Sequence, residues 1–220
     1  MHEVPQHFKK AIIVPIPKGL KDNYRGISLL PVLSKVYEQL LLDWYSETEI
    51  TRVNHLQTAC QPRGSSLQTT TLLREVISYN TSRGNNVYVA LLDTQKAFDS
   101  VWIDALFYKL NAMGCNQALW RILYFYYTDF QGCVFTVRKQ SDWFDILVGV
   151  HQGAPFSMKM YTTFNSDLLD LLCRISGKAT IPGINVPVCA PAYADDIAVV
   201  AIYKPALQNM LDVAYSHSCR

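Results

Sequence analysis

Apolar positions along the chain switch between a strand-like and a helix-like rhythm. Ala11–Ile16 is a short run of mostly β-branched residues closed by Pro17, which predicts a strand. Val32, Leu33, Val36, Tyr37, Leu40 and Leu41 recur every three to four positions, predicting a helix over about 31–46. A second helix begins with Ser65 or Ser66 as N-cap and turns Leu73, Val76 and Ile77 inward. A polar turn around Gly84 leads into Val87–Leu92, a continuous apolar run that reads as a strand buried on both faces. Helices follow from Ser100 to about Gly114 and from Asn116 onward, each opened by a side chain able to cap it. Cys133–Val137 and Trp143–Val148 read as two strands joined by Arg138–Asp142. A helix then opens at Pro155 or Ser157 and runs to about Ile175 on the stripe Tyr161, Phe164, Leu168, Leu171, Leu172, Ile175. Two apolar arms, Val188–Tyr193 and Ile197–Tyr203, flank Asp195-Asp196 as in a hairpin. Mixed elements with an antiparallel hairpin near the end predict an α+β fold.

The chain has 220 residues, 50% hydrophobic and 12% aromatic, enough for a continuous core and too apolar for a disordered chain. No apolar stretch approaches the roughly 20 residues of a membrane span, and the N-terminus lacks a signal-peptide pattern. Membrane partners are therefore not expected, and an intracellular setting is. Net charge is only +2, so affinity for nucleic acid does not follow from charge alone. Basic residues do gather locally, with Lys9, Lys10, Lys18, Lys21 and Arg25 against Glu3 and Asp22, and Arg52, Arg63, Arg74 and Arg83 against Glu75. On charge alone, two solvated faces are the better reading of that pattern. The six cysteines, Cys60, Cys115, Cys133, Cys173, Cys189 and Cys219, form no Cys-x-x-Cys pair. Buried reduced thiols are expected rather than zinc or a disulfide framework.

Three segments carry candidate chemistry. In Ala192–Val200 two adjacent carboxylates, Asp195 and Asp196, interrupt an apolar run. Such a pair repels itself and needs either a polar turn in water or a divalent cation. In Val89–Asp99 an apolar strand delivers Asp93 at its C-terminal end, where it either caps a turn or faces a site. Together the three aspartates are hard oxygen donors able to hold two Mg²⁺ about 4 Å apart, with Mn²⁺ a chemical substitute. That set points to metal-assisted phosphoryl transfer. The third segment, Gly149–Ser157, is a glycine-bracketed loop entering a helix; Gly153 would let a ligand approach the backbone, as would any ordinary strand-to-helix turn.

The order of these segments resembles reverse transcriptases. Leu92-Asp93-x-x-x-Ala97-Phe98-Asp99, Gln152-Gly153 and Tyr193-Ala194-Asp195-Asp196 follow one another as in that family. Upstream, Ile16-Pro17-Lys18 through Asn23-Tyr24-Arg25-Gly26-Ile27-Ser28-Leu29-Leu30 resembles its first fingers motif, and Gln57–Ser66 its second. The wording is most similar to LINE-type retrotransposons, which lack long terminal repeats.

The resemblance implies a right-hand polymerase fold with fingers and palm only and the thumb absent. Fingers would take about 1–86, palm 87–130, a fingers/palm hairpin 131–148 and palm again 149–220. It implies RNA-directed DNA polymerase activity, with an RNA template, a DNA primer, deoxynucleoside triphosphates and two Mg²⁺, at nuclear DNA. Asp93 and Asp195 match the principal metal ligands and Asp196 the third catalytic carboxylate. Lys18 and Arg25 match residues that grip the triphosphate. Phe98 matches the aromatic gate under the sugar, and Gln152 and Gly153 the loop touching incoming nucleotide and template. Asp99 falls outside the metal site, as a helix cap. Ala59-Cys60-Gln61-Pro62-Arg63-Gly64 departs from the usual Gly-Phe-Arg-Pro-Gly-Arg, exchanging the final Arg and Gly, and Phe156-Ser157-Met158 departs from Leu-Ser-Pro. An alternative is a truncated remnant without catalysis that at most binds nucleic acid. RNA-templated RNA synthesis is a further alternative, against which Phe98 stands.

Overall fold

The computed structural model describes residues 4–19, 24–48, 53–183 and 187–218. Glu3, Lys21, Asp22, Asn23, Arg52 and Cys219 of the sequence reading lie outside the described residues. In chain order the elements are a 3-10 turn (Gln6–Lys9), β1 (Lys10–Pro17), β2 (Tyr24–Leu29), α1 (Val32–Glu47), α2 (Ser66–Ser82), β3 (Tyr88–Leu92), α3 (Ile103–Ala112) and α4 (Gln117–Tyr127). There follow β4 (Gln131–Val134), β5 (Phe144–Asp145), α5 (Ser157–Phe164), α6 (Ser166–Arg174), β6 (Ala192–Tyr193), β7 (Asp196–Ala201) and α7 (Lys204–Ser218). The α+β expectation holds. Among the described residues no helix is long and apolar enough to cross a membrane.

The chain folds into two compact units, one of Met1–Thr51 with Lys96–Thr163 and one of Arg52–Gln95 with Phe164–Arg220. In the first, the sheet order is β2-β1-β4-β5, with β1 antiparallel to β2 and parallel to β4. The expected 133–148 hairpin is present but shorter, pairing Gln131 with Asp145 and Gly132 with Phe144. Asn116 caps α4 as predicted, its side chain accepting from the N–H groups of Ala118 and Leu119. Buried Leu119, Leu123, Tyr126 and Tyr127 then anchor that helix, each burial stabilising by about 1.5–3 kcal/mol. Helix α3 begins at Ile103, because Ser100 donates back to the Ala97 carbonyl in a turn and leaves the cap position to Trp102.

Helix α1 forms where expected, yet it buries Ser34, Glu38, Leu41 and Tyr45 and exposes Val32, Leu33, Val36 and Leu40. Ser34 and Glu38 can go inside because partners await them. The Tyr126 hydroxyl lies 2.8 Å from Ser34 Oγ and donates to Glu38 Oε1 at 2.6 Å, and the Phe156 N–H donates to Glu38 Oε2 at 3.2 Å. Glu38 thereby caps the segment that opens α5. Burial raises its carboxyl above the ordinary range.

In the second unit the sheet order is β3-β7-β6, antiparallel throughout. Strand alternation sends Ile197, Val199 and Ala201 into a core with Leu168, Leu169, Leu172 and Met210, while Val200 meets Val76 of α2, Ala179 and Val188 on the other face. Ser65 caps α2, accepting from Gln68 N–H. Strand β3 is not buried on both faces as expected, since Val89 and Leu91 are exposed. The single helix expected to Ile175 is two helices, broken at Asn165 (φ −91°, ψ 0°), where Ser166 Oγ accepts from the Asn54 backbone at 2.9 Å. Of the thiols, Cys115, Cys133 and Cys189 are buried as expected, Cys173 partly, and Cys60 is exposed.

Candidate active site

The sheet of the second unit assembles the carboxylates. Strand β7 lies between β3 and β6 and pairs Leu92 with Ile197 and Tyr193 with Asp196. Strand β3 ends at Leu92, so Asp93 leaves the sheet directly beyond the Leu92–Ile197 pair, and Asp196 stands one position before Ile197 at the start of β7. Ala194 and Asp195 form the two-residue loop between β6 and β7. Ala194 has φ +56° and is buried. Glycine is the usual occupant of that first loop position, and an alanine there costs roughly 1–2 kcal/mol. Asp93 and Asp196 are exposed and Asp195 half-buried. A cleft of about 260 Å³ borders Asp196, lined also by Ser66, Thr69, Leu73, Leu91 and Tyr193.

Hard carboxylate oxygens suit Mg²⁺ or Mn²⁺, and the three leave the chain at the ends of paired strands β3, β6 and β7. Among the described residues no three carboxylate, imidazole or thiol groups converge into a complete protein cage. That fits magnesium, which is ordinarily held by one or two carboxylates and completed by water and substrate phosphates.

The first unit assembles the other predicted residues. Arg25 lies on β2 opposite Ile16 and Lys18 follows the end of β1, so both are exposed at one end of that ribbon. The loop before α5 is tied to β2 by Ser28 N–H donating to the Gln152 carbonyl at 2.9 Å. Gly153 has φ +109°, and a Cβ there would stand 3.2 Å from the Ser28 carbonyl, so only glycine passes without strain. Val150 N–H donates to the Phe98 carbonyl at 2.8 Å, and the Phe98 ring, half-buried, stacks on Tyr161 with centroids 5.1 Å apart. Phe98, Gln152 and Gly153 thus share one connected loop region. Asp99 meets that region through its backbone, against which Gly149 packs.

Two residues of consequence lie inside segments the sequence singled out, without being marked there themselves. His151 is buried, parallel to Tyr127 and 3.7 Å from the Phe130 centroid, with Nε2 lacking a partner. Burial pulls its imidazole down to about 4, so the ring is neutral near pH 7. Gln57 is buried against the carboxylate hairpin, hydrogen-bonded to both backbone groups of Ala194. As the first residue of the second motif it could have been noticed, but a single amide has no periodicity to mark it.

This architecture is that of a polymerase of the reverse-transcribing class. A telomerase from Candida tropicalis, solved in its apo form without the C-terminal domain, superposes with a TM-score of 0.65 at 14% identity, over 96% of this chain and 47% of that one. The profile of the family described as reverse transcriptase (RNA-dependent DNA polymerase) matches residues 16–217, and the chain belongs to that family. Similar relatives come from retrotransposable elements. The Pol polyprotein of type-1 element R2 from Bradysia coprophila is 26% identical over 95% of this chain and 24% of its own length. The RNA-directed DNA polymerase of mobile element jockey from Drosophila funebris is 30% identical over 87% of this chain and 21% of its own. The chain therefore spans about a quarter or less of the relatives it matches.

Proposed function

We propose that this chain is the catalytic part of a LINE-type RNA-directed DNA polymerase, adding deoxynucleotides to a primer 3′ end along an RNA template at nuclear DNA. The observation that carries the reading is that β3 ends one residue before Asp93 while its partner β7 begins at Asp196, beside the Asp195 turn, in a chain of this family. In this reading the β3–β7–β6 sheet is the palm floor and the β1–β2 ribbon belongs to the fingers.

Asp93, Asp195 and Asp196 would hold two divalent cations. When bound, those ions supply activation of the primer hydroxyl and neutralisation of the departing pyrophosphate. Lys18 and Arg25 would bring a point charge and a planar fork to the triphosphate and counter its negative charge. The Phe98 ring, backed by Tyr161, forms a rigid floor that a 2′-hydroxyl would strike, which selects deoxynucleotides. Gln152 and Gly153 present backbone to the base pair being formed, held in place by the Ser28 hydrogen bond.

Primer extension on an RNA template with Mg²⁺ tests the reading, with Asp195→Asn in parallel. Extension by the parent chain, lost by a factor of about 10² or more in the variant, is expected. Equal extension by both refutes it. A folded chain that extends nothing, yet binds primer–template with a steep salt dependence, would be the binding-only remnant.

A further inference from the structure

The carboxylate hairpin is braced by a residue to which the polymerase reading gives no role. Residues 56–58 run alongside β6, with Ala192 N–H donating to the Leu56 carbonyl at 2.9 Å and Thr58 N–H to the Ala192 carbonyl at 3.0 Å. The backbone then leaves the sheet at Ala59. At that point the Gln57 side chain takes over and supplies one more rung. Its Oε1 accepts from Ala194 N–H at 2.8 Å and from Ala59 N–H at 3.1 Å, and its Nε2 donates to the Ala194 carbonyl at 2.9 Å. The residue is 2% exposed, so water does not compete for these bonds.

The rung falls on the one residue of the loop whose backbone is left-handed. Ala194, at φ +56°, gains nothing from that conformation itself, and Asp195 and Asp196 follow directly. Holding both the N–H and the C=O of Ala194 fixes the rotation of its two peptide planes, and hence where the next two side chains leave the backbone. Only a primary amide of this length donates and accepts at once; an ionised glutamate only accepts, and methionine does neither.

We propose that Gln57 is a positioning residue for the metal-binding carboxylates, locking the strained 193–196 turn through both backbone groups of Ala194. The proposal rests on the polymerase reading for what the carboxylates do, and on the hydrogen bonds alone for how they are held.

The test compares the parent chain with Gln57→Met, Gln57→Glu and the double variant Gln57→Met/Ala194→Gly. Mn²⁺ binding is read by electron paramagnetic resonance of the free ion, with thermal melts and primer extension in parallel. Loss of a group that orients metal ligands lowers metal affinity by about 10–100-fold, and that loss is expected in both single variants, in kcat more than in KM for the nucleotide. Glycine adopts the left-handed turn without help, so Ala194→Gly is expected to recover most of the Mn²⁺ affinity lost in Gln57→Met. Single variants that bind Mn²⁺ like the parent overturn the proposal. So does loss of the whole fold in both, which would make Gln57 a fold determinant, or a double variant no better than Gln57→Met. A parent chain that binds Mn²⁺ but extends no primer overturns the polymerase reading, while the Mn²⁺ comparison still decides Gln57. A parent chain that binds no Mn²⁺ overturns the proposal as well.

Discussion

Acidifying the protein from pH 6.5 to pH 5 should remove about 2 kcal/mol of stability through His151 alone. The ring lies between Tyr127 and Phe130 with Nε2 unpartnered, and burial holds its imidazole near 4 against an ordinary 6.5. Above pH 6.5 the ring is neutral in both folded and unfolded chains and contributes no slope. Between 6.5 and 4 the unfolded chain takes up a proton that the folded chain refuses. Stability therefore falls as pH falls, by about 1.4 kcal/mol per pH unit and about 3 kcal/mol in full. Glu38 acts in the opposite sense, because its raised carboxyl keeps a proton more tightly when folded. A control that isolates the histidine is therefore required.

His151→Leu supplies it, removing the titrating ring and its orphaned nitrogen together. All four tryptophans, Trp44, Trp102, Trp120 and Trp143, belong to the unit that holds His151, so intrinsic fluorescence reports that unit. Urea melts followed at 350 nm (~) across pH 5–7.5 should show the acid slope in the parent and a slope smaller by about 1.4 kcal/mol per pH unit in the variant. Parallel curves for the two proteins would refute the burial argument. Under the proposed function, in which Gln152 next to His151 touches the incoming nucleotide, the nucleotide KM of the parent should rise at pH 5.5 more than that of the variant.

Glu38→Ala strands the Phe156 N–H at the opening of α5, and should lower the fluorescence-detected stability by about 2 kcal/mol in urea melts at pH 7. Arg63 occupies φ +62° at the place where the family pattern has glycine, so Arg63→Gly should gain about 1 kcal/mol by circular dichroism, and no gain would mean the loop relaxes freely. Phe98→Ala leaves Tyr161 without its stacking partner; under the proposed function it also opens the space beneath the sugar, and discrimination against ribonucleotides should fall by about tenfold or more in single-nucleotide extension.

What could be read from the sequence was local chemistry with a fixed geometric signature. Asn116 and Ser65 cap because an oxygen at that position reaches the N–H groups two and three residues on, and the 192–197 hairpin follows from two apolar arms around a two-residue turn. What escaped was decided by partners distant in the chain. Helix α1 presents an apolar stripe at Val32, Val36 and Leu40, yet buries Ser34 and Glu38, because Tyr126 and Phe156 supply hydrogen bonds worth more than that stripe finds. The break at Asn165 depends on Asn54, more than a hundred residues earlier, and the Gln57–Ala194 rung spans a similar distance. Candidate site residues were legible as motif letters, while the group that holds their loop was not.

Backbone strain gathers mostly in the segments that carry the motifs, with Asp129 the exception. Among the described residues, the non-glycine positions with positive φ are Cys60, Arg63, Lys96, Asp129 and Ala194. Cys60 and Arg63 fall in the second motif, Lys96 three residues after Asp93, and Ala194 one before Asp195. None lies inside a helix or strand. Such conformations persist where surrounding structure over-determines them, and they concentrate where side chains must be aimed rather than merely packed. Ala194 has its over-determination in Gln57. Arg63 is followed by Gly64, where a Cβ would come within 1.9 Å of the Thr58 carbonyl, so the chain there cannot accept a side chain one position later. The exchange of Arg and Gly relative to the family pattern has therefore moved the strain onto Arg63, and the segment carrying Gln57 keeps its path only while Thr58 and Gly64 stay in contact. Loss of that contact through Gly64→Ala would release residues 56–58 from β6 and, with them, the rung that fixes the carboxylate turn.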